Sequence, residues 1–134
     1  RRRIAALYDD LLAGVPGVRT PPPLPEGHNS SSSFYWVQVD AAIRDRIATD
    51  LRRRGIATAF RYPPLHRAPT GGALSTATGA AAGPLPHTDE AAAQTLLLPM
   101  HQGLGDEEVR TVAEGLGAAV RERMRPAAAG AAAD

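Results

Sequence analysis

The sequence predicts an α/β fold of short strands packed with helices, and three observations predict it. A run of aromatic and β-branched residues at 34–39 is followed, within some thirty residues, by a helix pattern and a second short apolar run. An amphipathic pattern starting near 106 repeats apolar residues at helical spacing. Proline and glycine punctuate the boundaries between these segments.

Residues 1–14 read as a helix, with Ile4, Leu7, Tyr8 and Leu11 on one face and Gly14 as its stop. The chain opens mid-pattern and without methionine, as a piece of something longer would, so this apolar face is expected to lack part of its cover. Pro16, Gly17 and the prolines at 21, 22, 23 and 25 make 15–30 an extended connector. Phe34 to Val39 is the first strand, and Asp40 is placed to cap the helix behind it. That helix carries Ile43, Ile47 and Leu51 on one face and ends at Gly55. Ile56 to Tyr62 reads as a second strand, halted by Pro63 and Pro64.

Residues 69–84 are nearly all Gly, Ala, Ser, Thr and Pro, a composition that buries too little apolar surface to offset ordering entropy, so a mobile loop is expected. Thr88 is read as the cap of a short helix with Asp89 and Glu90 in its first turn. Leu96 to Leu98, stopped by Pro99, is either the end of that helix or a short buried strand, which periodicity does not separate. The last helix has Leu104 and Val109 as a hydrophobic staple, acidic residues 106–108 against its dipole, and a buried face of Val109, Val112, Ala113, Leu116 and Val120. Residues 126–134 are expected to form a disordered tail.

Composition narrows the chemistry. There is no cysteine, which excludes disulfides, thiolate metal sites and cysteine nucleophiles. All fifteen basic residues are arginine, and the sequence contains no lysine. The formal net charge of +1 gives no general anion-binding surface. Arg52 to Arg54 close a helix, where cations favour the dipole, and no second basic stripe accompanies them, so nucleic-acid binding is not expected. No apolar run approaches the roughly 20 residues of a membrane span, and Arg1 to Arg3 do not lead into a signal peptide. A soluble, cytoplasmic chain with no membrane partner is the expectation.

His28, His66, His87 and His101 lie in separate segments without paired spacing, so no metal site is expected. His66 stands apart. It follows a strand end in Tyr62-Pro63-Pro64-Leu65-His66, where prolines restrict the backbone and present the ring. Its readings are a binding group or a turn histidine bonded to a backbone carbonyl. Serines 30–33 read as a polar strand entrance, since no acid-base partner stands beside them.

In series the segments resemble the C-terminal domain of the DegT/DnrJ/EryC1/StrS aminotransferases. The resemblance runs through Arg2-Arg3-Ile4-Ala5 and Tyr8, Ser33-Phe34-Tyr35-Trp36, Arg44-Asp45 with Leu51, and Arg54-Gly55-Ile56-Ala57-Thr58. It continues through Arg61-Tyr62, Pro64-Leu65-His66, Leu85-Pro86, Leu98-Pro99-Met100 and Glu107-Glu108-Val109, covering roughly 1–120. Phe60 to His66 looks closest to members that aminate the 4-keto carbon of a nucleotide-linked deoxysugar.

The resemblance implies a fold-type I transaminase. Residues 1–14 would be the remnant of an interdomain helix and 15–125 the small C-terminal domain of a homodimeric enzyme. Such an enzyme uses pyridoxal phosphate to move an amino group, usually from glutamate, to a nucleotide-sugar substrate. The Schiff-base lysine would belong to a missing large cofactor domain, so no catalytic or cofactor-binding residue is assigned here and this chain alone is expected to be inactive. The family pattern carries over Tyr62 and His66, with Tyr35 and Trp36, as substrate-side residues. A stand-alone, non-catalytic subunit that modulates a full-length aminotransferase is the alternative.

Overall fold

The computed structural model describes residues 1–60, 63–68 and 84–125. Helix α1 (Arg2–Leu12) places Ile4, Tyr8 and Leu12 one above another at a spacing of four, and all three are buried. The face expected to lack cover is therefore closed. It packs on the last helix, with the Tyr8 hydroxyl donating to the Pro99 carbonyl at 3.0 Å and an Arg3 nitrogen donating to the Leu104 carbonyl at 3.1 Å. Leu12 takes the deep position, and Leu7 and Leu11 are only partly buried.

Strand β1 (Tyr35–Gln38) is shorter than the apolar run around it. Tyr35 and Val37 face the core, while Trp36 and Gln38 turn to the opposite side, half-buried. Asp40 caps helix α2 (Ala41–Arg53) as expected, its Oδ1 accepting the Ala42 N–H at 2.8 Å. The helix ends at Arg54 and Gly55, whose φ of +78° is the left-handed conformation that favours glycine.

The expected strand at Ile56–Tyr62 is corrected. Among the described residues it amounts to one antiparallel bridge, Ala59 with Leu97. Ile56 turns into the core against α2 and the last helix instead of continuing a ladder. Thr88 does not cap its helix either. Helix α3 (Pro86–Gln94) begins three residues earlier, with Leu85 at the cap position and Pro86 in its first turn, where a missing N–H and a preset φ cost nothing. Leu96 to Leu98, open between helix and strand, belong to strand β2 (Thr95–Leu98), which runs directly from the end of α3. β1 and β2 pair antiparallel, Val37 opposite Leu96 and Tyr35 opposite Leu98, so the buried faces of both coincide. A bridge from Arg19 to Gln38 adds to the other edge.

Helix α4 (Asp106–Met124) follows the sequence pattern closely. Glu108 Oε2 accepts the Gly105 N–H at 2.8 Å, and Leu104 and Val109 are both buried at the staple positions. The expected face is buried, and Gly115 lies in it where a Cβ would come within 2.7 Å of Ile56 Cδ1, so α4 and the chain after α2 approach closely because the residue is glycine. Asp50 and Arg123 join α2 to α4 through two 2.7 Å bonds to the two carboxylate oxygens. The arginine fork holds the buried Asp50 carboxyl below its usual range, against the opposing effect of burial. Among the described residues no helix is long and apolar enough to cross a membrane. The predicted mobile loop at 69–84, except Pro84, and the predicted tail at 126–134 lie outside the described residues, as do Arg61 and Tyr62.

Candidate functional site

The alternation of β1 decides what its two adjacent aromatics do. Tyr35 goes inward, stacking on Tyr8 with ring centroids 4.7 Å apart, and its hydroxyl donates to Asp9 Oδ1 at 2.6 Å. Burial, and then the Asp9 carboxylate, push the Tyr35 phenol far above its ordinary pKa, so it is a fixed donor and not a base. Burial likewise raises the Tyr8 phenol. Trp36 goes outward and separates two grooves.

One groove, of about 470 Å³, runs between the serine entrance and α3, with Trp36, Phe34, Pro64, Thr88 and Thr95 among its walls. The other, of about 680 Å³, lies between the same entrance and α1, with Trp36, Tyr35, Asp9 and the prolines from Pro21 to Pro23 around it. Serines 30–33 fold as a compact turn between them. Ser30 Oγ accepts the Ser32 N–H at 3.0 Å, Ser31 and Ser33 hydroxyls lie 3.0 Å apart, and Ser32 is buried at a φ of +47°. A non-glycine residue in that region is strained by about 1–3 kcal/mol, a cost found where chains shape binding surfaces. What the sequence reading took as a plain strand entrance is the shared wall of both grooves.

His66 lies on a 3₁₀ turn (Leu65–Arg67) that follows Pro64. Its ring faces the first turn of α3, with Nε2 3.1 Å from Asp89 Oδ1. Arg67 Nε approaches the same oxygen at 2.7 Å. The distances are those of ion contacts, while the angles fall short of aligned hydrogen bonds. His66 does not itself line either groove; its neighbour Pro64 does. Tyr35 and Trp36 thus meet at the grooves, His66 stands behind the α3 wall, and Tyr62 lies outside the described residues. His28, His87 and His101 are exposed, and among the described residues no group of His, Asp and Glu could hold a metal ion.

Sequence reasoning missed two residues of this region. Asp89 was read only as a helix-dipole partner. Arg44 received no role, yet its Nη1 donates to the Ala92 carbonyl at 3.0 Å, its Nε to Asp45 at 2.8 Å, and its guanidinium lies 4.3 Å over the Phe60 ring. Local spacing carries no signal for the contacts of Asp89 with His66 or of Arg44 with Ala92 and Phe60, because those partners are distant in sequence.

Comparisons with known proteins agree in direction. The description of the DegT/DnrJ/EryC1/StrS aminotransferase family matches residues 1–117. A dTDP-4-dehydro-2,3,6-trideoxy-D-glucose 4-aminotransferase of Saccharopolyspora spinosa is 48% identical over 124 residues, which is 92% of this chain and 30% of that protein. The crystal structure of the aminotransferase TlmJ from Streptoalloteichus hindustanus superposes with a TM-score of 0.79 at 46% identity, over 92% of this chain and 31% of that one. DesI, solved in the presence of its TDP-sugar product, superposes at 0.71 with 32% identity over 91% of this chain and 31% of its own. The chain therefore spans about 30% of the length of the curated relatives it matches. On the family match, the identities and the shared fold, this chain belongs to the DegT/DnrJ/EryC1/StrS aminotransferase family.

Proposed function

We propose that this chain is the C-terminal segment of a pyridoxal-phosphate-dependent aminotransferase that moves an amino group, from glutamate, to C4 of a nucleotide-linked deoxysugar. The observation that carries the reading is the 48% identity to the Saccharopolyspora spinosa 4-aminotransferase, held across 92% of the chain. The same proposal assigns residues 1–14 to a helix leading from the cofactor domain and 15–125 to the small domain of a cytoplasmic homodimer.

The residues present do not make a pyridoxal phosphate site by themselves. A Schiff base needs a lysine amine, and the sequence has none. Among the described residues, neither groove beside Trp36 has a cationic side chain in its wall to hold a phosphate. The cofactor and the chemistry it supplies therefore belong to the rest of the enzyme, and no step is assigned to this chain.

What the chain offers is the substrate side. Trp36 is an apolar plate for a deoxysugar ring, and the serines with Thr88 and Gln38 give neutral hydrogen-bond partners for ring oxygens. Tyr35 supplies a rigid wall. His66, on the turn after Pro64, stands behind the α3 wall, and Tyr62 is assigned to the substrate side on the family pattern alone. The described wall, without cations, suits the sugar better than its diphosphate.

The test is a segment exchange. Residues 1–125 replace the matching segment of the Saccharopolyspora spinosa enzyme, and the hybrid is assayed on its sugar. Turnover of the 4-keto sugar, abolished or cut at least tenfold by Trp36→Ala, supports the reading. A folded, cofactor-loaded hybrid that accepts glutamate but no 4-keto sugar refutes it. The 134-residue chain alone, treated with pyridoxal phosphate and borohydride, gains no side-chain adduct by mass spectrometry; an internal adduct would contradict the lysine argument.

A further inference from the structure

We propose that Asp89 is a positioning residue that holds His66, and with it the rim of the groove beside Trp36, in the geometry used for substrate. The inference rests on the substrate-side reading of His66.

Among the described residues, the turn that carries His66 has few attachments. Its backbone is closed by the Arg67 N–H to the Pro64 carbonyl at 2.9 Å and the Ala68 N–H to the Leu65 carbonyl at 3.1 Å. Leu65, its one large apolar residue, is 81% exposed and anchors nothing. Asp89 supplies the attachment, since one oxygen lies within 3.1 Å of the His66 ring and 2.7 Å of Arg67. Both the histidine and the aspartate side chains are largely withdrawn from water, at 15% and 21% exposure, so the contact is weakly screened.

Asp89 is in turn well placed to transmit position. It sits in the first turn of α3, one residue after Thr88, which lines the groove opposite Trp36. The far end of α3 is tied to the sheet: Arg44 donates to the Ala92 carbonyl, Thr95 Oγ1 donates to the Ala91 carbonyl at 2.6 Å, and β2 continues directly from the helix. Pro64 and Thr88, on the two sides of the His66–Asp89 contact, are both groove wall. Fastening one to the other sets the width of the groove mouth.

The carboxylate also orders the ring. Its negative charge 3.1 Å from Nε2, though not aligned as a hydrogen bond, favours the tautomer with the proton on that nitrogen, leaving Nδ1 on the opposite side of the ring to accept. A carboxylate behind a histidine acts this way wherever the second nitrogen must meet a ligand in one protonation pattern.

The test has two arms. In the 134-residue chain, ¹⁵N-detected ring correlations of His66 report the tautomer without any activity. The Nε2-protonated form should dominate, and Asp89→Asn, which keeps the shape and loses the charge, should reduce it. No change in that ratio overturns the proposal. In the segment-exchanged enzyme, Asp89→Asn, His66→Ala and the pair are measured in the sugar and glutamate half-reactions. Asp89→Asn should cost about tenfold in sugar kcat/KM with little effect on the glutamate half, and the double variant should be no worse than His66→Ala. Additive losses, or equal losses in both halves, overturn the positioning role. Loss at Asp89 without loss at His66 also overturns it, because Asp89 would then act through another group. His66→Ala without effect, with the tautomer still dependent on Asp89, would leave the ring contact intact and refute the substrate-side reading on which it rests.

Discussion

The helical side of the molecule and the rim around Trp36 are built on opposite plans. On the first, Ile4, Tyr8 and Leu12 of α1, Ile47 and Leu51 of α2 and the long face of α4 are all buried, and a bidentate ion pair joins two of the helices. On the second, Phe34, Phe60, Leu65 and Leu85 keep half or more of their surface open, or close to it, and polar contacts such as His66–Asp89 do the fastening. The first region satisfies its own apolar surface. The second leaves more of it exposed. Burial and exposure are thus divided between different parts of one small fold, and mutations on the two sides should read out differently.

The largest expected effect tests the helical side. Tyr8→Ala removes a fully buried ring stacked on Tyr35 and a hydrogen bond to Pro99, and should lower unfolding free energy by about 3–5 kcal/mol. Urea unfolding of the isolated chain measures it. A loss below about 1 kcal/mol would mean that α1 is not part of a closed core, and the contrast would fail.

Next comes the ion pair. Arg123→Ala removes the fork from the Asp50 carboxylate and should lower stability at neutral pH, by less than Tyr8→Ala does, with Arg53 at 3.5 Å limiting the damage. The sign with pH follows from the lowered Asp50 pKa in the folded state. Its contribution is present above the unfolded value near pH 4 and is lost as pH falls through that value toward the folded one. The gap between the parent and Arg123→Ala should therefore narrow on acidification below about pH 4. A gap that widens there would assign the pair no stabilising role.

The smallest effect sharpens the rim. Leu65→Ser should change stability by less than about 0.5 kcal/mol, because the side chain is already open to water. A loss above about 1 kcal/mol would show that the rim is packed after all, and that its exposed residues belong with the core.

These differences explain which parts of the fold the sequence could convey. Helix α4 was legible in full because its staple, its acidic first turn and its apolar stripe are all local signals. The Asp40 cap and the Gly55 stop were legible for the same reason. Strand length was not. Ile56 to Tyr62 has a strand-like composition, but Ile56 packs against α2 and α4, and pairing begins only where Ala59 meets Leu97. Leu96 to Leu98 could be settled only by a partner, which β1 provides. At the site, Tyr35 and Trp36 could be named from the family pattern, but the pleat sends one inward and the other between the grooves.

By itself the sequence determined the family pattern, the helical stripes, and the lack of any lysine with which to form a Schiff base. Those are properties of residue identity and of spacing within a turn or two. Tertiary structure alone decided that α1 is covered, that Asp50 meets Arg123 across 73 residues, and that His66 turns toward Asp89 behind the groove wall. Such contacts depend on how elements dock, and docking is set by the summed shape and burial of many side chains, which no local pattern encodes.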